Sequence, residues 1–315
     1  MTLTVSAPDG VPEIRPGDDL AALVLQVLDL VDGDVVAVTS KVVSKAEGRL
    51  RHGGREDALA AETARLVARR GATSIVRTRH GLTMAAAGID ASNVDRDWIA
   101  LLPEDPDESA RRLRAGLLRL SGRNVAVIIT DTAGRAWRTG QTDIAIGAAG
   151  LRVSESFVGR HDARGNALQV TEPAVADELA GAAELAQGKL AARPFALLRG
   201  RADLVLPVGD DGPGAAALIR PEAEDLFGYG SREAVIAAVR GTDPRAFGAP
   251  VDSSELIAAL RRATDAAVTV EGPGLVAVEG DSVDRVALVA FAHGWVVDRS
   301  GLDSAIRLRL PPVTP

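Results

Sequence analysis

The sequence predicts a fold of mixed strands and helices, because two kinds of hydrophobic pattern alternate along it. Short apolar runs typical of buried strands occupy residues 35–39, 125–129 and 195–200. Amphipathic helical patterns lie between them, and the clearest run from Leu20 to about Leu30 and from Pro106 to about Leu120. Several strands end in polar residues, and the carboxyl ends of strands are where sheets of this kind usually bind ligands.

Two further regions complete the predicted organisation. Residues 56–70 are interpreted as an alanine-rich amphipathic helix that ends at Gly71. A loop rich in glycine, aspartate and proline then precedes a boundary near residue 221, which divides the chain into residues 1–221 and 222–315. About ninety residues are enough for a small C-terminal α+β domain. Its expected elements are helices at 232–239 and 254–264 and β-rich segments near Val268, Leu275, Val286 and Ile306.

Composition excludes several functional classes. The chain has 315 residues, of which 46% are hydrophobic and 25% charged, as in a soluble globular protein. The net charge of −7 argues against a general nucleic-acid surface. The absence of cysteine excludes disulfides, thiolate zinc sites and cysteine nucleophiles. We find no signal peptide and no apolar stretch of about 18 residues, so we expect a cytoplasmic protein without a membrane partner.

The stretch 128–143, IITDTAGRAWRTGQTD, is the strongest candidate for a functional site. An apolar strand ends there in a carboxylate flanked by hydroxyls. Asp131 suits a hard cation such as Mg²⁺ or Mn²⁺, and Thr132 can add an oxygen ligand. Arg135 and Arg138 offer planar donors for phosphate or carboxylate. The combination indicates phosphate chemistry, although each residue alone is more typical of a solvated turn after a strand.

Two other loops carry similar groups. The strand at 35–39 is followed by Ser40, Lys41 and Lys45, whose alternative interpretation is a solvated helix face. Asp90 and Asn93 lie three residues apart among small residues, as in a metal or nucleotide site or in a simple Asx turn. The pair Gly188 and Lys189 lacks Walker spacing, and the four dispersed histidines make a histidine-ligated metal unlikely on this pattern.

These motifs together resemble the coenzyme F420-0:L-glutamate ligase (gamma-glutamyl ligase) family. The resemblance covers roughly residues 11–200 in order. It rests on DGDVV at 32–36, TSKVVSKAEGR at 39–49, GIDASNV at 88–94, DPD at 105–107, the stretch 128–143 and VADE at 175–178. One departure is Lys189, which stands where some members have an acidic metal ligand. The tail is also too short for the flavin-binding domain that is fused to some relatives.

The resemblance implies a mixed-sheet α+β ligase domain in an intertwined homodimer. It also implies a GTP-dependent enzyme that joins L-glutamate to coenzyme F420-0, using two Mg²⁺ or Mn²⁺ ions with K⁺ as a further cation. Asp90 and Asp131 would hold one ion, and Thr132 would either support the ligands of that ion or bind the second ion. The residues expected along GTP are Gly10, Val11, Pro12, Ser40, Lys45 and Asn93.

The expected chemistry is activation of a carboxylate as an acyl phosphate, in which positive charge stabilises phosphoryl transfer. Lys45, Arg135 and Arg138 are the candidates to supply that charge, and either arginine could instead bind the carboxylates of glutamate. Two alternatives stay open at this point. One is a non-catalytic protein that binds nucleotide or deazaflavin, and the other is an amide ligase for a different acyl acceptor.

Overall fold

A computed structural model describes residues 2–92, 94, 96–298 and 305–312. It divides into two compact units. The first comprises residues up to Arg65 together with Ile75–Ile219, and the second comprises Leu66–Ser74 together with the residues from Arg220 onward. As far as residue 219 the strands and helices are β1 (Thr4–Ser6), α1 (Leu20–Val27), β2 (Val35–Thr39), α2 (Ser40–Ala46), β3 (Leu50–His52), α3 (Arg55–Glu62), β4 (Thr63–Arg70), β5 (Thr73–Thr78), β6 (Thr83–Ala85), β7 (Trp98–Ala100), α4 (Pro106–Ser121), β8 (Ala126–Arg135), β9 (Arg138–Ala149), α5 (Val175–Gln187) and β10 (Phe195–Arg199).

The first unit is organised around a five-stranded sheet in the order β1-β10-β2-β8-β9. Strands β2 and β8 are parallel, whereas the other neighbours are antiparallel, so the predicted mixed sheet is confirmed. The parallel register pairs Thr39 with Thr130. The carboxyl end of β2 therefore lies beside Thr130, midway along β8, and this places Ser40 close to the residues that follow Thr130 within β8.

Each face of this sheet packs against its own helices. Val36, Val38, Val127 and Ile129 belong to a core with α1, α2 and α4. The alternate residues of the same strands, including Val35, Ala37, Ala126 and Ile128, belong to a second core with α5. This alternation follows from the period of two along a strand. The same alternation determines which polar side chains of β8 can contact one another.

Helix boundaries follow the capping residues in the sequence. The carboxylate of Asp19 accepts hydrogen bonds from two amides in the first turn of α1. Asp105 caps α4 in the same way, and Pro106 occupies the first turn, where its missing N–H costs nothing. Helix α4 ends at Gly122, which adopts a left-handed φ of 71°.

The interpretation of residues 56–70 as one helix is wrong. Helix α3 ends at Glu62, and the chain continues directly into β4, which forms a three-stranded sheet with β5 and β6. The carboxylate of Glu62 is held by the guanidinium groups of Arg49, at 2.9 Å, and Arg79, at 2.7 Å. These contacts between distant residues, together with strand pairing, override the helical propensity of an alanine-rich segment.

Close packing explains one glycine of β9. A Cβ atom built on Gly147 would lie 2.3 Å from the carbonyl oxygen of Pro106 at the start of α4. We expect Gly147→Ala to lower the melting temperature by several degrees, because neither backbone can yield without disturbing the sheet and helix contact. Thermal unfolding monitored by circular dichroism would measure the effect. Gly54→Ala, at an open position, is the matched control and should change the melting temperature little.

The second unit contains a four-stranded antiparallel sheet in the order β11-β12-β14-β13, with helices against it. Its elements are α6 (Ser231–Arg240), α7 (Ser253–Ala263), β11 (Ala267–Gly272), β12 (Leu275–Glu279), α8 (Val283–Ala292), β13 (Val296–Asp298) and β14 (Ile306–Arg309). Both expected helices are present, but Val286, which we placed in a β-rich segment, lies in α8. Trp295 is buried in this core. Across the described part of the chain, none of the helices has the length and apolar character needed to cross a bilayer.

Candidate active site

The site begins where the carboxyl end of β2 lies beside the middle of β8. Ser40, the first residue of α2, follows β2 directly, and Asp131 follows Thr130 in β8. The hydroxyl Oγ of Ser40 donates a hydrogen bond to Oδ1 of Asp131 at 2.8 Å. Two residues that are 91 positions apart in the sequence are thus brought into contact by the parallel register of the strands.

Asp131 is in an unusual electrostatic environment. Burial raises the pKa of its carboxyl to about 7, the neighbouring carboxylates of Asp143 and Asp90 also raise it, and the hydrogen bond from Ser40 opposes them. Among the described residues, no lysine, arginine or histidine forms an ion pair with Asp131. A bound cation would therefore be stabilised here, because it would supply the missing opposite charge.

Asp90 is close enough to influence Asp131 but already has a cationic partner. Its Oδ2 lies 2.7 Å from Nζ of Lys41 in α2. Burial alone would raise the pKa of Asp90, but the contacts with Lys41 and Ser92 outweigh burial and lower it. The backbone N–H and the hydroxyl of Ser92 both donate to this carboxylate, so an Asx turn is present. Asn93, the next predicted site residue, lies outside the described residues.

Thr132 belongs to a second cluster, formed with β9 and the chain after α5. Thr130 and Thr132 donate hydrogen bonds to the two carboxylate oxygens of Asp143, at 3.0 Å and 2.8 Å respectively. The ammonium Nζ of Lys189 donates to Oγ1 of Thr132 at 2.8 Å. Asp143 is buried, so these hydroxyl donors satisfy a charge that would otherwise be costly.

Lys45 contacts Glu13, the residue that follows the segment 10–12. Lys45 is buried in the last turn of α2, and its ammonium contacts the carboxylate of Glu13, which follows Pro12 directly. Gly10 has a left-handed φ of 86° with open space around its Cα. The three residues predicted to contact the nucleotide, Gly10, Val11 and Pro12, thus immediately precede the residue that contacts Lys45.

The two arginines of the central stretch lie elsewhere. Strands β8 and β9 form one hairpin, and Arg135 and Arg138 flank its tip, where both are exposed. Arg135 is four residues beyond Asp131, or about 13 Å along an extended strand. The expectation that the strand ends at Asp131 is therefore wrong, because β8 continues to Arg135. The arginines are not brought together with Asp131 within this chain.

Comparison with known proteins gives the family of the chain. The family model described as F420-0:Gamma-glutamyl ligase matches residues 10–55 and 56–200, which is more than half of the chain. The chain belongs to this family. All the predicted site residues, from Gly10 to Asp131 and Arg138, lie within the matched range.

Individual members of the F420-0:gamma-glutamyl ligase family are also similar over long spans. Three coenzyme F420:L-glutamate ligases illustrate this: those of Haloarcula marismortui (41% identical over 212 residues, 59% of this chain and 82% of the relative), Archaeoglobus fulgidus (40% over 210 residues, 60% and 84%) and Methanothermobacter thermautotrophicus (37% over 257 residues, 72% and 99%). The chain is thus an enzyme of the ligase class.

Some groups at this gamma-glutamyl ligase site were not singled out from the sequence. They are Asp143 and Glu13, whereas Lys41 and Lys189 were noted in the sequence without their partners; all four become significant through contacts between distant segments. One signal was available: Thr130, Thr132 and Asp143 lie on the two sides of a hairpin. The hairpin itself was not recognised, so the pairing of Thr132 with Asp143 was missed.

The donor set at Asp131 has the chemistry that a hard divalent ion requires. A carboxylate and hydroxyl oxygens are the ligands that Mg²⁺ and Mn²⁺ prefer. The ligands are not fully assembled, however, because Lys41 holds Asp90, and no group of three or more His, Asp or Glu side chains able to hold a metal is present among the described residues. An ion at Asp131 would therefore have to displace the ammonium of Lys41 if Asp90 is to become a second carboxylate ligand.

Proposed function

We propose that this enzyme is a GTP-dependent ligase that joins L-glutamate to coenzyme F420-0 and then adds further glutamates through gamma linkages. The observation that carries the proposal is the partly buried carboxyl of Asp131 in β8, held by Ser40 beside the carboxyl end of β2, inside the range that the family model matches. The names of the relatives support the substrates, since they are coenzyme F420:L-glutamate ligases.

The reaction proceeds in two steps. A carboxylate oxygen of F420-0 attacks the terminal phosphorus of GTP, the bond to the bridging oxygen breaks, and GDP leaves. The amino group of glutamate then attacks the acyl phosphate carbon, and it loses a proton as inorganic phosphate leaves. A divalent ion at Asp131 would neutralise the phosphate charge during the first step. Energy from GTP is needed because a carboxylate at neutral pH does not form an amide spontaneously.

Individual residues of the chain have separate roles in this reaction. Ser40 orients the carboxylate of Asp131, so that one of its oxygens is directed to the cation. Lys45 is buried and its ammonium contacts Glu13, next to the segment 10–12, so it is suited to bind a nucleotide phosphate once Glu13 gives way. Asn93 stays a prediction for the same nucleotide, and so does the contribution of K⁺.

We also propose that two copies form a homodimer through the hairpin of β8 and β9. The indole of Trp137 at the hairpin tip is 84% exposed, and Arg135 and Arg138 flank it. Aromatic and arginine side chains are enriched in the centres of protein interfaces. In a dimer the arginines could meet the phosphate or the carboxylates of glutamate in a second copy.

The expected dimer can be tested by measuring mass in solution. Light scattering coupled to gel filtration should give twice the chain mass for the natural protein. Trp137→Ser should shift the equilibrium toward the monomer, because it removes the largest exposed apolar surface of the hairpin. Leu190→Ser, at another highly exposed apolar residue, is the control and should remain dimeric. A natural protein that runs as a monomer at micromolar concentration would contradict the proposal.

Ligase function is tested directly by mass spectrometry of the product. The full chain would be incubated with F420-0, L-glutamate, Mn²⁺ and GTP, and the product mass should increase by one or more glutamate residues. Parallel reactions with ATP and with other amino acids test the choice of nucleotide and acceptor. Binding of GTP without any change in mass would favour a non-catalytic role instead.

A further inference from the structure

We propose that the ammonium of Lys189 takes the position of a second metal ion, so that this enzyme binds one divalent cation rather than two. The inference rests on the proposed function, because it concerns the charges around the same phosphates. It begins from the geometry of β8. Asp131 and Thr132 are consecutive in a strand, and consecutive side chains point to opposite faces of a sheet.

The contacts of the two residues agree with that separation. Asp131 bonds to Ser40 of α2 and is paired across the hairpin with Ile144, which packs against the core that contains α1, α2 and α4. Thr132 is paired with Asp143 and contacts Lys189, which follows α5 on the other face. The two predicted ion positions are therefore separated by the strand itself.

The charges on the two faces differ. On the Asp131 face, the ammonium of Lys41 pairs with Asp90, so Asp131 has no cationic partner among the described residues. On the Thr132 face, the single carboxylate of Asp143 accepts from two hydroxyls, and Lys189 lies one hydroxyl away. The first face lacks a cation and the second already has one.

A divalent ion would fit the second face poorly. It would have to displace Lys189 and then find several oxygen ligands where Asp143 is the one carboxylate in contact with Thr132. The two hydroxyl protons already point at the oxygens of Asp143, so Thr130 and Thr132 would have to reorient before they could act as ligands. An ammonium group needs no such rearrangement.

The use of lysine in this chain supports a specific role for Lys189. The sequence has 36 basic residues, yet lysine occurs only at positions 41, 45 and 189. Their ammonium groups contact Asp90, Glu13 and Thr132 respectively, and all three partners lie in or beside segments that the sequence singled out. The other 33 residues of these two types are arginines. This use of lysine indicates that the compact charge of an ammonium is required at these positions rather than the planar guanidinium of arginine.

The test is a count of bound manganese. Mn²⁺ alone is titrated into the full-length protein, and the free ion is measured by electron paramagnetic resonance, so the result does not depend on turnover. We expect one tight site per chain, lost in Asp131→Asn and retained in Thr132→Ala. Lys189→Glu should create a second site, because it replaces the ammonium by a carboxylate beside Asp143 and Thr132.

Two conservative variants separate charge from structure. Lys189→Gln should lower kcat roughly tenfold or more without changing the manganese count, and Lys189→Arg should recover part of that loss. The proposal is overturned if the natural protein binds two Mn²⁺ ions, if Thr132→Ala removes one, or if Lys189→Glu gains none. A count of one ion without glutamate transfer would instead reject the proposed function and leave the inference standing.

Discussion

Replacing Asp131 with asparagine is expected to lower the rate of glutamate transfer by a factor on the order of 10³ or more, while the fold stays intact. Asparagine keeps the shape of the side chain and can still accept the hydrogen bond from Ser40, but it loses the charge that a divalent ion requires. The rate would be measured from the glutamylated product by mass spectrometry at saturating Mn²⁺, GTP and glutamate. Circular dichroism would verify the fold.

The control for this variant is Asp57→Asn, which makes the same chemical change at an exposed position in the first turn of α3. It should leave the rate within about twofold, as expected for a surface substitution. Normal ligation by the Asp131→Asn variant would show that the site is assigned to the wrong carboxylate. Equal losses in both variants would point to a general effect of the substitution instead.

The second large effect concerns stability without metal. The pKa of Asp131 is raised from 3.8 to about 7, so the folded protein holds this proton more tightly than the unfolded chain does. The stabilisation is complete below about pH 4 and is lost as the pH rises toward 7. With EDTA present, Asp131→Asn should therefore melt roughly 5–10 °C above the natural protein at pH 8, and the difference should shrink at pH 5.5.

Added Mn²⁺ should reverse this order at pH 8. The ion stabilises the folded natural protein by binding it and not the unfolded chain, whereas the asparagine variant gains little. Differential scanning fluorimetry at the two pH values, with EDTA or with Mn²⁺, measures all four conditions. If the variant were less stable than the natural protein at pH 8 in EDTA, the raised pKa of Asp131 would be the wrong explanation of its environment.

Part of the site followed from the sequence because it depends on local patterns. The apolar runs at 35–39 and 125–129 predicted two buried strands, and both are present, although the second continues beyond its apolar run through Asp131 and Thr132 to Arg135. Asp90 was recognised as a turn residue with a possible ligand role, and its turn is present. Helix α4 also begins and ends where its proline and glycine indicate.

Other features could not be read in this way. The segment 63–70 looks helical in sequence, but it becomes a strand because neighbouring strands offer hydrogen bonds and Glu62 is fixed by two distant arginines. The partners of Lys41 and Lys189 lie 49 and 57 positions away in the sequence, so no spacing rule reveals them. Arg135 and Arg138 are the opposite case. They are close to Asp131 in sequence, but the extended hairpin of β8 and β9 carries them away from it.

The sequence by itself determined the chemistry that is available: carboxylates, hydroxyls and rare lysines placed after buried strands, in motifs typical of one ligase family. Only the tertiary structure decided which of these groups meet. The parallel register of β2 and β8 joins Ser40 to Asp131, and the alternation of side chains along β8 sends Thr132 to the opposite face with Asp143 and Lys189. The physical reason is that strand pairing and the two-residue period of a strand are set by contacts between distant segments, whereas local patterns record only which residues can form a strand.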